Sequence, residues 1–191
     1  GTLTGSGSSW VRAANLLNAQ GAINALDSLD MQFSGKLDNG QGRIFSQLSQ
    51  TLNAQDIVNV GGWMGSQGSW HAVSGSFDNA QGSVQSQQDA QLAANWLGNA
   101  QGALQSAADL VLHVAQDIDN HGGKVSAQGV LAVQGSTADA HAGAINNAGG
   151  QWLAGEALNI AALSLNNSQN GQLYSQKLLR LNLNLSLIHI S

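Results

Sequence analysis

Two carboxylates recur at a spacing that could support chemistry. Asp89 and Asp109 each stand ten residues after an Asn that opens the same short string in successive copies of a repeat. If the copies stack as coils about 5 Å apart, this pair could act in retaining glycoside hydrolysis or bind Ca²⁺ weakly. In other copies the same position holds Ser28, Ser49 and Ser69, and no Lys or Arg occupies an equivalent position nearby. We therefore expect solvated surface carboxylates and no catalysis.

Histidine and serine offer no stronger candidates for a site. A metal site needs three or four ligands, but the chain has no Cys, and its five His are scattered: His71, His113, His121, His141 and His189. Serines recur seven residues after the repeated Asn, which indicates a stack of small residues rather than one nucleophile paired with a His. We expect no catalytic residue, no metal and no cofactor.

The tryptophans raise the question of glycan binding. Trp63 and Trp70 lie in the most Gly-rich copy, and outward rings there could stack on the sugars of a receptor glycan. The alternative is that they fill the interior of a coil built from small residues. Trp152 falls at an inward position of the pattern, which favours the core.

Composition excludes several classes of function. The chain has 191 residues and is 42% hydrophobic, but only 9% of its residues are charged, against about a quarter in an average protein. Six Lys and Arg with a net charge of −5 are too few for a nucleic-acid interface, and no apolar run is long enough to insert into a membrane. The chain begins at Gly1 rather than Met, so we expect a piece of a longer protein.

A 20-residue repeat is the main signal in the sequence. The string N-x-x-G recurs at intervals of 21, 20, 20, 20, 21, 27 and 20 residues. Its Asn residues, which we predict to form a structural ladder, are Asn18, Asn39, Asn59, Asn79, Asn99, Asn120, Asn147 and Asn167. Its glycines are Gly21, Gly42, Gly62, Gly82, Gly102, Gly123 and Gly150. Gly adopts positive φ at no steric cost and Asn tolerates it, so the string predicts a turn.

The residues around each Asn alternate between large apolar and other types. A large apolar residue stands two positions before every Asn, another stands five after the first seven, and a small residue stands seven after. This period of two is typical of strands with one buried face. Copies of about 20 residues are too short for two helices, and the leucine-rich and Ca²⁺-binding nonapeptide patterns are missing.

The pattern therefore predicts an all-β, right-handed parallel β-helix with about 20 residues per coil and about eight coils. Residues 1–13 would form an incomplete leading coil, and 14–176 the β-helix, with an insertion near 136–143 that accounts for the 27-residue interval. Residues 177–191 would form a final strand and a tail. The Asn amides would stack, each hydrogen bond contributing about 1 kcal/mol net.

The repeat resembles that of filamentous haemagglutinin. The closest segments are LDNGQGRIFS at 37–46, FDNAQGSVQS at 77–86 and LGNAQGALQS at 97–106. In this family such repeats build the shafts of large exoproteins that Gram-negative bacteria secrete by the two-partner route. The family includes adhesins, haemolysin-like exoproteins and the toxin-carrying proteins of contact-dependent growth inhibition.

The resemblance implies a structural shaft segment of a secreted surface exoprotein that mediates adhesion to cells or surfaces. Its partners would be an outer-membrane secretion protein, acting through a domain absent here, and a receptor or glycan on a host or neighbouring cell. One alternative is the stalk of a contact-dependent growth inhibition toxin, and a less favoured one is a β-helix enzyme that degrades polysaccharides. The ending from Ser186 to Ser191 resembles translated sequencing adaptor, so we expect this tail not to be native.

Overall fold

The computed structural model describes residues 1–137 and 139–184, together with the backbone of residues 188 and 189. These residues form strands and turns, and all of the strand pairs are parallel. No helix in this part of the chain is long and apolar enough to cross a membrane. The expected all-β parallel solenoid is confirmed. The suggested non-native tail lies outside the described residues, apart from the backbone of Ile188–His189.

One sheet contains a four-residue strand from every coil. Each strand pairs with its counterpart one coil later, as Ser83–Ser86 does with Ala103–Ser106. We call this the short-strand sheet. Its nine strands are Thr2–Gly5, Ala22–Ala25, Arg43–Ser46, Trp63–Ser66, Ser83–Ser86, Ala103–Ser106, Lys124–Ala127, Gln151–Ala154 and Gln172–Ser175. Nine strands mean nine coils, one more than the Asn count indicates, because the leading residues form a paired coil of their own.

The second sheet, the long-strand sheet, carries the rest of each coil. Four coils cross it in one continuous strand: Gln50–Val58, Trp70–Asp78, Ala90–Gly98 and Ala157–Asn166. The other coils cross it in two pieces: Ser9–Ala13 and Leu16–Leu17, Leu29–Phe33 and Lys36–Asp38, Leu110–Val114 and Ile118–Asp119, Leu131–Gln134 and Ala142–Asn146, and finally Leu178–Leu183 and Ile188–His189.

The Asn spacing decides which coils are interrupted. The continuous strands belong to the 20-residue intervals, whereas the 21-residue intervals that end at Asn39 and Asn120 contain a broken strand. The 27-residue interval breaks between Gln134 and Ala142, where the Gly135 amide donates to the Ala140 carbonyl at 2.8 Å. An extra residue therefore leaves the ladder in register because it is absorbed as a kink in the long strand.

The interior is a stack of like residues. Two positions before the Asn lie Leu37, Ile57, Phe77, Leu97, Ile118, Ile145 and Leu165, none more than 1% exposed. Five positions after it lie Ile23, Ile44, Met64, Val84, Leu104, Val125 and Trp152, also buried. Each coil buries this face only against its neighbours, so stability is shared along the rod.

Gln50 is a polar residue in an otherwise apolar position of the interior. Gln50 is fully buried between Leu29 and Trp70, its partners in the two adjacent coils. Neither polar atom of its amide has a hydrogen-bond partner among the described residues. A buried amide without partners costs on the order of 1–3 kcal/mol, so Gln50 lowers the stability of the rod.

Candidate functional site

The repeated Asn residues form a continuous hydrogen-bonded column inside the solenoid. The Nδ2 of each donates to the Oδ1 of the next, at 2.7 Å from Asn79 to Asn99 and again from Asn99 to Asn120. The column extends from Asn18 to Asn167 through seven such bonds. Its six inner members have no exposed surface, while the two end members are 8% exposed.

Each ladder amide also closes its own turn. The Nδ2 of Asn99 lies 3.3 Å from the carbonyl oxygen of Gly102 and 3.3 Å from that of Lys124 in the next coil. The Gly102 amide in turn donates to the Asn99 carbonyl at 3.0 Å. The side chain therefore joins two coils and fixes one turn at once, which explains why all eight copies of the repeat have Asn at this position.

The turn glycines have a different role from the one expected. The positive φ falls on the residue before them, at 55° in Gln101 and 56° in Gln81, and it falls on Gly61, Gly122 and Gly149 where glycine occupies that position. The prediction that the last residue of N-x-x-G supplies the positive φ is wrong. Two central residues with positive φ at the second resemble a type II turn.

Close packing explains why the last residue of the turn is Gly. A Cβ on Gly102 would overlap the backbone oxygen of Asn79 and would lie 2.7 Å from the Oδ1 of Asn99. A Cβ on the other glycines in the inner turns would likewise meet the backbone oxygen of the Asn in the previous coil and the Oδ1 of the Asn in the same coil. The ladder therefore requires glycine at this position. A side chain there would overlap the backbone of the previous coil and crowd the Asn amide of the same coil.

Acidic and amide side chains cap the same turns from outside. Asp38, Asp78 and Asp119 each stand one position before a ladder Asn and accept a backbone N–H two residues on. In the later coils Asn166 donates to Asn146, and Asn146 donates to Asp119, both at 3.1 Å. The pKa of Asp38 is lowered, chiefly because the Lys36 ammonium donates to its carboxylate, with the Gly40 amide adding to the effect.

The structure places Asp89 and Asp109 in adjacent coils as structural acceptors. The amide of Asp109 donates to the Asp89 carboxylate at 3.2 Å, and the amide of Val130 donates to the Asp109 carboxylate at 2.7 Å. Both residues are exposed. Each carboxylate thus links its coil to the next through a backbone N–H, which accounts for the recurrence of an acid at this position without chemistry.

Histidines and carboxylates do not converge on a metal. No group of three or more His, Cys, Asp or Glu with suitable geometry occurs within the described ranges. His113 instead shares a 3.2 Å hydrogen bond with Gln134 of the next coil. The recurrent serines bond to loop carbonyls, as Ser86 Oγ does to Gly68 at 2.9 Å.

Two of the tryptophans are core residues. Trp152 is fully buried, as the pattern predicted. Trp70 is only 2% exposed and meets the ring of Phe77 edge-on at 5.8 Å. The hypothesis that Trp70 contacts a glycan is therefore wrong: the indole occupies the interior because its neighbour in the following coil, Ala90, is small.

Trp63 remains on the outer face of the short-strand sheet. Its ring lies against Gly65, where a Cβ would overlap the indole. It stacks on Phe45 with 6.0 Å between ring centroids, and the Arg43 guanidinium lies 4.3 Å from the indole centroid. We call Arg43, Phe45 and Trp63 the aromatic cluster.

Sequence reasoning singled out Trp63 but missed the two residues that orient it. Arg43 pairs with Trp63 across the strands, and Phe45 pairs with Gly65. The signal was available four and six residues after each ladder Asn, in the columns that alternate with the buried ones. Those columns differ between copies, so they carry no repeat to draw attention to them.

The fold and the ladder define a class: a parallel β-solenoid whose internal polar chemistry serves to hold coils together. A family model described as haemagglutinin repeat matches residues 1–122 and again residues 112–187, so the chain belongs to the haemagglutinin repeat family. No curated protein and no solved structure matches the chain. Family and fold together make it a segment of the shaft of a secreted adhesin-type exoprotein.

Proposed function

We propose that this shaft segment mediates adhesion to cells or surfaces at the outside of a Gram-negative bacterium. The observation that carries the proposal is a difference between the inward-facing and outward-facing residues of each coil. Inward residues repeat and form one continuous ladder and core, while outward residues vary from coil to coil. A scaffold that is constant inside and variable outside suits an extended surface that presents different contacts along its length.

The rod geometry supports reach as a second part of the role. Nine coils at about 4.8 Å each give a rod roughly 40 Å long. Because every coil is bonded to the next by both sheets, and the coils from Asn18 to Asn167 by the ladder as well, added coils extend the rod without a new core. An exoprotein built this way gains length in proportion to its number of repeats.

Secretion by an outer-membrane partner protein is included in the proposal. The chain contains no Cys, so no disulfide can lock it before it crosses a membrane. Solenoid folding can also begin at one coil and spread to its neighbours, which suits a chain that emerges progressively.

The proposal also names one contact residue: Trp63 binds a receptor glycan. The indole is held on the outer face by Gly65 beneath it and Phe45 beside it, so little side-chain freedom is lost when a ligand binds. Catalysis is not proposed, since Asp89 and Asp109 are already used as acceptors for backbone amides.

Adhesion of coated beads tests this function. Beads carrying the chain should bind epithelial cells or abiotic surfaces better than beads coated with albumin, and soluble chain should compete. Trp63→Ala should reduce attachment, whereas Trp10→Ala, at an indole that is 72% exposed, serves as the matched control. Attachment no better than that of albumin beads would refute the adhesive role.

A further inference from the structure

A groove follows the outer side of the short-strand sheet. One part, of about 500 Å³, is lined by Phe45, Trp63, Gln85 and Gln87 among others. A second part, of about 670 Å³, begins at the same Gln85 and Gln87 and continues to Tyr174. Because the two parts share these glutamines, they form a single groove, which we call the axial groove.

The axial groove is long and parallel to the rod. From Phe45, strand pairing passes through Gly65, Gln85 and Gln105 and on to Tyr174 in six steps. Six steps of about 4.8 Å make roughly 29 Å. This shape fits an extended chain better than a compact small molecule, because one ligand would have to touch seven coils.

The chemistry of the lining is that of a sugar-binding surface. Aromatic rings mark both ends, with the aromatic cluster at one and Tyr174, 55% exposed, at the other. Between them, glutamines such as Gln85, Gln87 and Gln105 provide amide donors and acceptors. Aromatic faces pack on apolar sugar faces, and planar amides bond to hydroxyls in a water-filled groove.

The charges of the side chains that line the groove favour an acidic ligand. The protein has 11 acidic and six basic Lys and Arg residues, yet no carboxylate lines the described parts of the groove. Lys124 lines it, and Arg43 lies at its aromatic end. Neither cation has a salt-bridge partner among the described residues. They stand four coils apart, roughly 19 Å.

We propose that the axial groove binds a linear polysaccharide that carries widely spaced carboxylate groups. Arg43, which lies over the Trp63 indole, and Lys124 pair with carboxylates of the ligand. The part of the indole that Arg43 leaves uncovered packs on a sugar ring, and the glutamines bond to hydroxyls between the two cations. The proposal rests on the adhesive function above, since it names the ligand that such a shaft would hold. Two cations over this length suit a polysaccharide with widely spaced negative charges better than a densely sulfated one.

Binding of a hyaluronate oligosaccharide to the intact chain, measured by calorimetry, tests the groove directly. A neutral cello-oligosaccharide of equal length and poly-glutamate are the comparison ligands. Hyaluronate should bind more tightly than either, and added salt should weaken it. Equal binding of the neutral oligosaccharide, equal binding of poly-glutamate, or no binding of hyaluronate would overturn the proposal.

Two matched variants distinguish an effect of negative charge inside the groove from an effect of negative charge anywhere on the protein. Gln87→Glu places a carboxylate in the groove, and Gln91→Glu makes the same change at an exposed position of the long-strand sheet. Gln87→Glu should weaken the affinity for hyaluronate about fivefold, and Gln91→Glu should leave the affinity unchanged. Equal losses from both variants would refute the site.

Removing the proposed contacts completes the test. Trp63→Ala and Lys124→Gln should each weaken binding, the first about tenfold. Arg180→Gln removes an exposed cation on the long-strand sheet and should have no effect. Unchanged melting temperatures establish that the variants fold. If beads coated with the chain adhere to cells but the chain does not bind hyaluronate, the proposed groove ligand is wrong and the adhesive function still holds.

Discussion

Replacing one inner ladder residue tests whether the amide column stabilises the rod. Asn99→Ala removes the 2.7 Å bonds to Asn79 and Asn120 together with the contacts to Gly102 and Lys124. The Asn79 amide keeps two carbonyl partners, at 3.3 and 3.1 Å, but the Asn120 oxygen loses its inter-amide donor.

The expected loss follows from these contacts. Two buried hydrogen bonds contribute about 1 kcal/mol each, an unpaired buried oxygen costs about 1–3 kcal/mol, and the vacated volume adds to both. We expect Asn99→Ala to lower the free energy of unfolding by about 3–5 kcal/mol. Asn18→Ala should lower it by about half as much, because Asn18 has one ladder bond rather than two and is 8% exposed.

Urea unfolding followed by circular dichroism supplies the measurement. Gln85→Ala is the control, since this exposed side chain makes only a 3.4 Å bond to Ser83 and should change stability by less than about 0.5 kcal/mol. If Asn99→Ala and Gln85→Ala unfold at the same urea concentration, the ladder does not stabilise the fold and the reasoning fails.

A charged variant gives an independent check through pH. Asn99→Asp places a carboxyl group at a site without exposed surface, where burial raises the pKa above its unfolded value. Its protonated form can still donate to Asn120, so the variant should be most stable below the unfolded pKa and lose stability as pH rises through the folded pKa. Stability that does not fall over this range would contradict the buried position of Asn99.

Three further outcomes are expected. Gly102→Ala should lower the melting temperature more than substitutions at exposed positions, because its Cβ would overlap the Asn79 backbone oxygen. Gln50→Leu should raise the free energy of unfolding by about 1–2 kcal/mol, measured in urea, since it removes a buried amide without partners. NMR titration should give Asp38 a pKa below the ordinary value of an aspartate, because Lys36 donates to it. Its contribution to stability should therefore be present above the unfolded pKa and vanish as pH falls through the folded one, and Lys36→Gln should raise that pKa.

The repeat made most of the fold predictable. Each coil has to bury its own period-two face against a neighbour, so the pattern around Asn79 or Asn99 is sufficient to predict the strands, the turn and the stacked amides. The inward position of Trp152 followed from the same pattern. Interruption of the strand at the longer intervals was not foreseen, because a spacing of 21 rather than 20 does not say where the extra residue goes.

The role of the turn glycines needed the structure. Sequence alone attributes Gly102 to a positive φ, since that is the commonest reason for glycine in a turn. In the folded chain the positive φ falls on Gln101, and Gly102 has a neighbour, the Asn79 oxygen, that belongs to the previous coil. A contact across coils is invisible in a string of four residues.

The sequence by itself determined the class of fold and the ladder, because these depend on residues that repeat. Only the tertiary structure decided that Trp70 is inside, that Trp63 rests on Gly65 beside Phe45, and that one groove extends to Tyr174. The physical reason is that outward columns bring together residues 20 or more positions apart that face solvent, so the packed interior does not restrict their types and they show no repeat.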